Sequence, residues 1–362
     1  MNRKSIGIVG ATGQVGSGVV ETLLENNSYQ LLLGSRKIEK LVEKYGNESE
    51  AIQYKAVDVF DKKSLISFCY NCDLMINTAG PSSIVLDRVA DACMETNTNY
   101  LDVSGDKTMK TAIKDAMTKR NSSITLAISA GVYPGLTEMF LAFLMQNNHE
   151  SIDDIRCYFA GKGNFSETGA YDIISSLEKD EGHGMAYYCN GAIKKMTSGI
   201  GSQIILPPPF NEVYTLPVIS EEYMECLNEF KITNAYFYNT FATQKMLTDF
   251  ITIKAMQLFK TEEEKRASAN RLMKTYSTKD KSQGFIIYVV WDENGVKRKK
   301  WLQSSTNWNY CSGVVAACVA MQMLDIDFTK KKGCYFAQSI IDSKELFNQL
   351  LRTGYISMIE EN

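Results

Sequence analysis

Three glycines, Gly10, Gly13 and Gly16, stand directly after the apolar run Ile6-Gly7-Ile8-Val9, and residues 17–24 continue with helical character. A strand, a glycine turn and a helix in that order hold the pyrophosphate of a dinucleotide. The first glycine permits the tight turn. The second lets backbone N–H groups approach the phosphates, and the third lets the helix pack close to the strand. The anion then sits at the positive end of the helix dipole. Gly10, Thr12, Gly13, Gln14, Val15 and Gly16 are therefore assigned to a phosphate loop. A turn that merely holds glycines is the competing reading, and the strand before it and helix after it argue against that.

The second chemical signal follows the next strand, at residues 29–33. It ends in Gly34-Ser35-Arg36-Lys37, with no acid where NAD-type sites place one for the ribose hydroxyls. A hydroxyl, a guanidinium and an ammonium suit an extra phosphate instead, since Arg36 can fork onto it. The expected cofactor is NADP(H), with Ser35, Arg36 and Lys37 on its ribose phosphate; a solvated basic turn is the alternative. Asp58 and Val59, just after the third strand, are expected beside the adenine, although Asp58 reads equally well as a turn residue or cap.

The elements that must position these residues alternate regularly. Strands are expected at residues 6–9, 29–33, 54–57, 73–77, 100–103 and 125–129. Helices are expected between them at 17–25, 38–45, 62–69, 84–96 and 108–120. Apolar runs joined by helices give a parallel sheet covered on both faces, and right-handed crossovers make it doubly wound, a Rossmann-type α/β fold. From residue 152 to about 305 the pattern is more aromatic and less regular. Strands are expected there at 155–159, 204–206, 213–216, 285–291 and 299–303, and helices at 170–177 and 262–276. Asp292-Glu293-Asn294-Gly295 is a hairpin signal. The reading is a nucleotide domain over 1–150, completed by C-terminal helices in 306–362, with an inserted α+β substrate and dimerisation domain over 151–305. The helix at 312–324, rich in Gly and Ala, is expected to return to the nucleotide domain and pack closely.

Composition excludes several classes. The chain has 362 residues, 44% of them apolar and 22% charged, with a net charge of −3. Nucleic-acid binding has no electrostatic footprint here. No apolar run reaches the roughly 18 residues a membrane span needs. Met-Asn-Arg-Lys-Ser runs straight into the first strand, and the nine cysteines are scattered, so a reduced, cytoplasmic protein is expected. Cys69 and Cys72 form a C-x-x-C without a second pair, and only His149 and His183 could add ligands, so no metal is expected.

Three further segments carry a resemblance. The fourth strand runs into Asn77-Thr78-Ala79-Gly80-Pro81, the fifth through Tyr100-Leu101-Asp102, and the sixth into Gly131-Val132-Tyr133-Pro134-Gly135. With the first glycine motif, this series resembles the saccharopine dehydrogenase-like family of NADP-binding oxidoreductases over roughly the first 145 residues. Thr78, Ala79, Gly80 and Pro81, which lack bulk, are expected against the cofactor's ribose and nicotinamide.

The resemblance implies NADPH-dependent reduction of a C=N bond in a small metabolite. Hydride transfer needs a placed nicotinamide and a proton for the acceptor heteroatom, and a carboxylate nearby would stabilise an iminium. Asp102 is the first choice for that carboxylate, with a helix cap or loop salt bridge as its other reading. Asp106 and Tyr100 stand close behind it, with a core residue as the other reading of Tyr100, and Tyr133 could donate its phenolic proton or stack on the nicotinamide. His183, in Glu181-Gly182-His183-Gly184, is the candidate from the second domain. Tyr171 and Asp172 open a helix that could face the substrate, and their spacing equally fits a cap and a core aromatic. Only four arginines, Arg156, Arg266, Arg271 and Arg298, fall in the second domain, which is rich in Tyr and Phe. That balance favours a less charged, partly apolar or aromatic substrate over a conjugate of several carboxylates. Alternatives are a carbonyl or enoyl reductase, although the Tyr-x-x-x-Lys pair of short-chain reductases is missing after strand five, and a non-catalytic NADP(H)-binding sensor. A homodimer is expected, with no nucleic-acid or membrane partner.

Overall fold

The computed structural model describes residues 3–26, 28–147, 152–179, 182–277, 282–325 and 331–361; His149 and Glu181 lie outside them. The chain divides into two compact units, Met1–Phe140 with Asn309–Thr353, and Leu141–Trp308 with Gly354–Asn362.

In the first unit six strands follow one another as β1 (Lys4–Val9), β2 (Tyr29–Ser35), β3 (Ile52–Ala56), β4 (Leu74–Asn77), β5 (Asn99–Asp102) and β6 (Thr125–Ile128). A seventh, Gly333–Phe336, was not expected and adds itself to the free edge of β6. The spatial order is Gly333–Phe336, β6, β5, β4, β1, β2, β3, parallel throughout. Parallel neighbours cannot be joined by tight turns, so helices carry the connections and cover the sheet. Hence Ile6, Ile8, Val9, Leu31 and Leu33 are fully buried. This is the expected doubly wound α/β fold. Chain order reverses beside β1, whose neighbours are β2 and β4, and the carboxyl ends of strands open a crevice at such a point.

The helix expected over residues 84–96 is two helices, Ser82–Val85 and Arg88–Thr96. Leu86 between them has φ 53°, a left-handed conformation that a right-handed helix cannot continue through. The small-residue helix Trp308–Met323 lies against α1 (Gln14–Glu25): a Cβ on Gly18 would stand 2.1 Å from the Tyr310 carbonyl oxygen, and one on Gly313 2.0 Å from that of Val15. No helix among the described residues is long and apolar enough to cross a membrane.

The second unit is built on a mixed sheet around β7 (Asp153–Lys162). Its main path runs Ala192–Lys195, Ala186–Cys189, Asn234–Phe241, β7, Gly284–Glu293, Val296–Ser304, Ser357–Glu361. Along that path only the pairing of β7 with Asn234–Phe241 is parallel. The hairpin turn read at residues 292–295 is present, with the Gly295 N–H donating to the Asp292 carboxylate at 2.8 Å. Period-two alternation splits the strands' side chains. Ile155, Cys157, Phe237 and Ile287 are buried, while Tyr158, Tyr238 and Tyr288 point to the other face. Helices Glu167–Lys179, Gln244–Ala255 and Glu262–Tyr276 belong to this unit, the last opened by a capping box between Thr261 and Glu264. The tail assigned above to the nucleotide domain differs at its end. Ser357–Glu361 pairs with Val296–Ser304, where Trp301 stands beside Ile359.

Candidate functional site

The glycine turn is built as its spacing implies, but its three glycines serve different masters. Gly10 has φ 80°, and a Cβ there would lie 2.6–2.7 Å from backbone atoms of Thr78 and Ala79. The turn after β1 is thus wedged against the loop after β4. A Cβ on Gly16 would stand 2.4 Å from the Gly10 carbonyl oxygen. The fold itself demands both residues. Gly13 is different: it is exposed, its φ of −76° suits any residue, and a Cβ added there would meet its nearest atom at 3.4 Å. Nothing in the described chain needs a glycine's bareness there, apart from the modest preference for glycine at an N-cap.

Gly13 is the N-cap of α1, and no side chain among the described residues caps the helix. The first turn carries no acid, so no side-chain carboxylate there offsets the positive end of the helix. The Gly13 N–H donates to the Gly10 carbonyl at 3.0 Å, closing the turn, and the Ser17 hydroxyl donates to the Gly13 carbonyl at 2.8 Å. The helix Glu39–Tyr45 braces the turn. Tyr45 donates its hydroxyl to the Ala11 carbonyl at 2.7 Å, and Lys44 donates to the Thr12 carbonyl at 3.0 Å and to the Ser17 hydroxyl.

At the end of β2, Arg36 and Lys37 are exposed, and their side chains engage no partner among the described residues. Ser35 is half-buried, and its hydroxyl accepts the Lys37 N–H at 3.3 Å. Register aligns Gly34 with Val9, so Ser35 and Arg36 leave the sheet next to the turn that begins at Gly10. Asp58 forms a side-chain turn, accepting the Phe60 N–H at 3.0 Å, which is the turn role. Val59 packs against the core below the sheet's end. The following Phe60 is 54% exposed, with the Arg88 guanidinium over its ring at 5.3 Å.

The loops after β4 and β5 are tied together by a buried network. Asn77 pairs in register with Asp102 across the two strands and donates its amide to the Asp102 carboxylate at 2.8 Å. The Tyr100 hydroxyl donates to the same oxygen, and the Ser104 N–H donates to the other at 2.8 Å. The Asn77 side-chain oxygen in turn accepts the Ala79 N–H at 3.1 Å. Thr78 donates its hydroxyl to the Val9 carbonyl at 2.8 Å. Asp102 is 3% exposed and Tyr100 fully buried, and the carboxylate holds the shape of the Asn77–Gly80 loop. Burial and the adjacent carboxylate push the Tyr100 phenol well above its ordinary value, so it keeps its proton. Thr78, Ala79 and Pro81 are half-buried and Gly80 exposed at the rim.

After β6, the Gly131–Gly135 turn closes on itself. The Gly131 N–H donates to Pro134 at 3.2 Å and the Leu136 N–H to Gly131 at 2.8 Å. The buried Glu138 carboxylate accepts the Gly135 N–H at 2.8 Å and the Thr137 hydroxyl at 2.6 Å, and burial raises its pKa. Tyr133 stands half-buried at the tip of this turn. The first unit therefore sets the glycine turn, the β2 end, Thr78–Pro81 and Tyr133 along the carboxyl edge of one parallel sheet, after β1, β2, β4 and β6.

The second unit's residues tell a different story. His183 is exposed, in a two-residue strand paired with Ile219, its Nε2 3.4 Å from a Glu221 carboxylate oxygen. Tyr171 is buried and donates to Glu262 at 2.6 Å. All four arginines are already engaged: Arg156 with Asp154 through two 3.0 Å bonds, Arg266 over the Tyr171 ring, Arg271 with Asp249 at 2.5 Å, and Arg298 with Glu293 at 2.8 Å. The aromatic surplus is largely structural. Tyr187, Tyr236, Tyr238, Tyr158, Tyr288 and Trp301 form a continuous row across five strands, with stacked pairs 4.8–6.4 Å apart. An aromatic substrate is not needed to account for them.

Cys69 and Cys72 are buried thiols, Cys69 lying 3.9 Å from Cys93, and burial pushes Cys72 up to about 12. Asn77, Lys44, Tyr45 and Glu138 were not singled out from sequence. Asn77 was within reach, since parallel register sets the last residues of adjacent strands side by side. Lys44 was not, because its contacts span 27 and 32 residues.

Residues 6–131 match the family described as the saccharopine dehydrogenase NADP binding domain. Over 190 residues the chain is 22% identical to a lipid droplet localized protein of Caenorhabditis elegans, a stretch that spans 48% of this chain and 45% of that protein. The fold matches apo saccharopine dehydrogenase (L-Glu forming) of Saccharomyces cerevisiae with a TM-score of 0.71 at 12% identity, covering 99% of this chain and 100% of that one. It also matches the DAP dehydrogenase of C. glutamicum with a TM-score of 0.51 at 12% identity, covering 97% and 99%.

Proposed function

We propose that this chain, a saccharopine dehydrogenase-like protein with an NADP-binding domain of that family, is an NADPH-dependent oxidoreductase that reduces a C=N bond of a small metabolite. The observation that carries the proposal is the bare space at Gly13 beside an uncapped helix start. A chain that gains nothing from glycine there gains a place for a diphosphate. The residues present fit the cofactor: the first-turn N–H groups of α1 take the diphosphate, Arg36 and Lys37 the ribose phosphate, and Thr78–Pro81 border the ribose and nicotinamide. Bound there, the nicotinamide supplies the hydride.

The chain's own contribution is positioning and one proton. Asp102 fixes Asn77, and Asn77 fixes the Ala79 N–H, so the carboxylate acts through the loop. Tyr133, at the tip of the Gly131–Gly135 turn, is the proposed proton donor to the acceptor heteroatom. The engaged arginines favour a substrate with few carboxylates. A second reading, NADP(H) binding without turnover, draws support from the burial of Asp102 and Tyr100, which leaves few proton donors at the first unit's rim.

The test is twofold. Fluorescence titration with NADPH measures binding, and NADPH consumption is followed with paired aldehydes and amines, and with ketones and enones as a comparison. Turnover that requires the amine supports imine reduction. Turnover of carbonyls or enones alone refutes it, and binding without any consumption favours the sensor.

A further inference from the structure

The face of the second unit's sheet opposite the tyrosine row carries a feature that the nucleotide site does not use. Asn239 stands in register beside Phe159 of β7, and Phe241 follows Asn239 two residues on, along the same face. From Phe159 the contacts run ring to ring: to Trp308 at 5.5 Å, on to Phe165 at 5.8 Å, on to Tyr276 at 4.7 Å and back to Phe241 at 6.5 Å. Five aromatic side chains and one carboxamide thus close a belt. Phe159 and Phe241 are buried and the other four half-buried, so the belt runs from the core to the surface. The Asn239 Oδ1 is buried and accepts no hydrogen bond from a described residue. An amide oxygen so placed loses its water without a replacement, a cost that leucine, with the same branching, would not carry. Gly161, exposed and two residues past Phe159 on the same face, is equally unexplained by the fold. A Cβ there would meet its nearest atoms, in the Trp308 and Phe159 rings, at an ordinary 3.8–3.9 Å. Glycine inside a strand weakens it, and here it leaves open the space beside the belt.

We infer that this belt is a subsite for an apolar amine, whose ammonium donates to the Asn239 Oδ1 while the rings hold its hydrocarbon body. It rests on the C=N reading above, since reduction of an imine yields an amine. The orphaned oxygen calls for a donor, so a carboxylate is not the group it meets. The rings choose among donors, because aromatic faces attract a cation and give a neutral hydroxyl no such gain. Asparagine suits the position where aspartate would not. A carboxylate buried among rings would take up a proton or demand an ion pair while the site is empty, and a neutral amide needs neither.

The experiment titrates the full chain with benzylamine, benzyl alcohol and benzoate by ligand-detected NMR, in wild type, Asn239→Leu and Gly161→Val, with denaturant midpoints and NADPH affinity measured on the same preparations. Benzylamine is expected to bind wild type saturably and more tightly than the alcohol or the acid. Asn239→Leu should weaken it at least about tenfold, the scale of one hydrogen bond to a charged group. The same variant should unfold at a higher denaturant midpoint, because it removes a buried polar atom that has no partner. Gly161→Val should also weaken benzylamine, at an equal or higher midpoint, and both variants should bind NADPH as wild type does. A lower midpoint in Asn239→Leu overturns the inference, because the carboxamide then serves the fold. Equal benzylamine affinity in wild type and Asn239→Leu overturns it too, as does an alcohol or benzoate that binds as well as the amine. Wild type that binds NADPH and no benzylamine sinks the subsite alone. Wild type that binds benzylamine as expected, yet shows no amine-dependent turnover, sinks imine reduction and leaves the amine site standing.

Discussion

Gly13→Ala separates what the fold requires from what a ligand requires. In the free protein the added methyl meets its first neighbour at 3.4 Å, an ordinary contact, and φ of −76° is open to alanine. Alanine caps a helix less well than glycine by about 0.5–1 kcal/mol. The reduced freedom of the unfolded chain returns about 0.4–1 kcal/mol. The net change in stability is therefore within about 0.5 kcal/mol of zero. The same methyl projects from the exposed N-cap into the space where a diphosphate would approach the first N–H groups of α1. Overpacking of that kind costs about 1–3 kcal/mol, which is a loss of about 5- to 150-fold in affinity. Gly16→Ala is the contrast, because its methyl would stand 2.4 Å from the Gly10 carbonyl oxygen. It is expected to destabilise the chain by more than about 1 kcal/mol and to weaken binding through the damaged turn. Chemical denaturation and NADPH titration on the same preparations read both quantities. Gly13→Ala that keeps its stability and also its NADPH affinity would refute the placement of the diphosphate.

Three other outcomes follow from the buried groups. Asp102→Asn replaces an acceptor with a donor facing the Asn77 amide and the Tyr100 hydroxyl, so stability should fall by about 1–3 kcal/mol in denaturant titration, with weaker NADPH binding alongside. A variant of full stability that loses only turnover would restore a direct role for the carboxylate. Asp249 is 8% exposed, and Lys245, Thr275 and Arg271 together hold its carboxyl well below the usual range against the opposing effect of burial. A depressed folded pKa gives stability that is present above the unfolded value and lost as pH falls through the folded one. Acid unfolding below about pH 4 should accordingly be shallower in Asp249→Asn, which starts less stable at neutral pH. Tyr133→Phe should lower turnover while leaving the melting temperature and NADPH affinity near wild type; unchanged turnover in the presence of an accepted substrate removes the proposed proton donor.

Local pattern carried the nucleotide domain because each of its strands is a short apolar run with a helix after it. What failed there failed for non-local reasons. Gly333–Phe336 joins the sheet more than two hundred residues after its neighbour β6, with no period or turn signal to connect them. Leu86 splits a helix whose apolar spacing is unbroken, because a left-handed residue leaves no mark when it is leucine. In the second unit the strand Asn234–Phe241 was hidden by its own composition. Asn-Ala-Tyr-Phe-Tyr-Asn-Thr-Phe alternates correctly, yet its outward face is tyrosine, and tyrosine in a row reads as a binding surface when it is a stack.

The residue types of a site are more legible than their roles, and Asp102 shows why. A carboxylate at the carboxyl end of a central parallel strand looks catalytic, because that is where ligands bind. The same position sets it beside the last residue of the next strand. There an Asn77 amide, a Tyr100 hydroxyl and the Ser104 N–H take up the acceptor sites that a substrate would need. A single added fact, that residue 77 is an asparagine in register with residue 102, supplies a positioning reading beside the catalytic one, and the proposal above takes it. Gly13 runs the other way. Its motif is shared with many turns, but only the geometry shows that, of the three glycines, this one is spare to the fold, and the proposed diphosphate site rests on that.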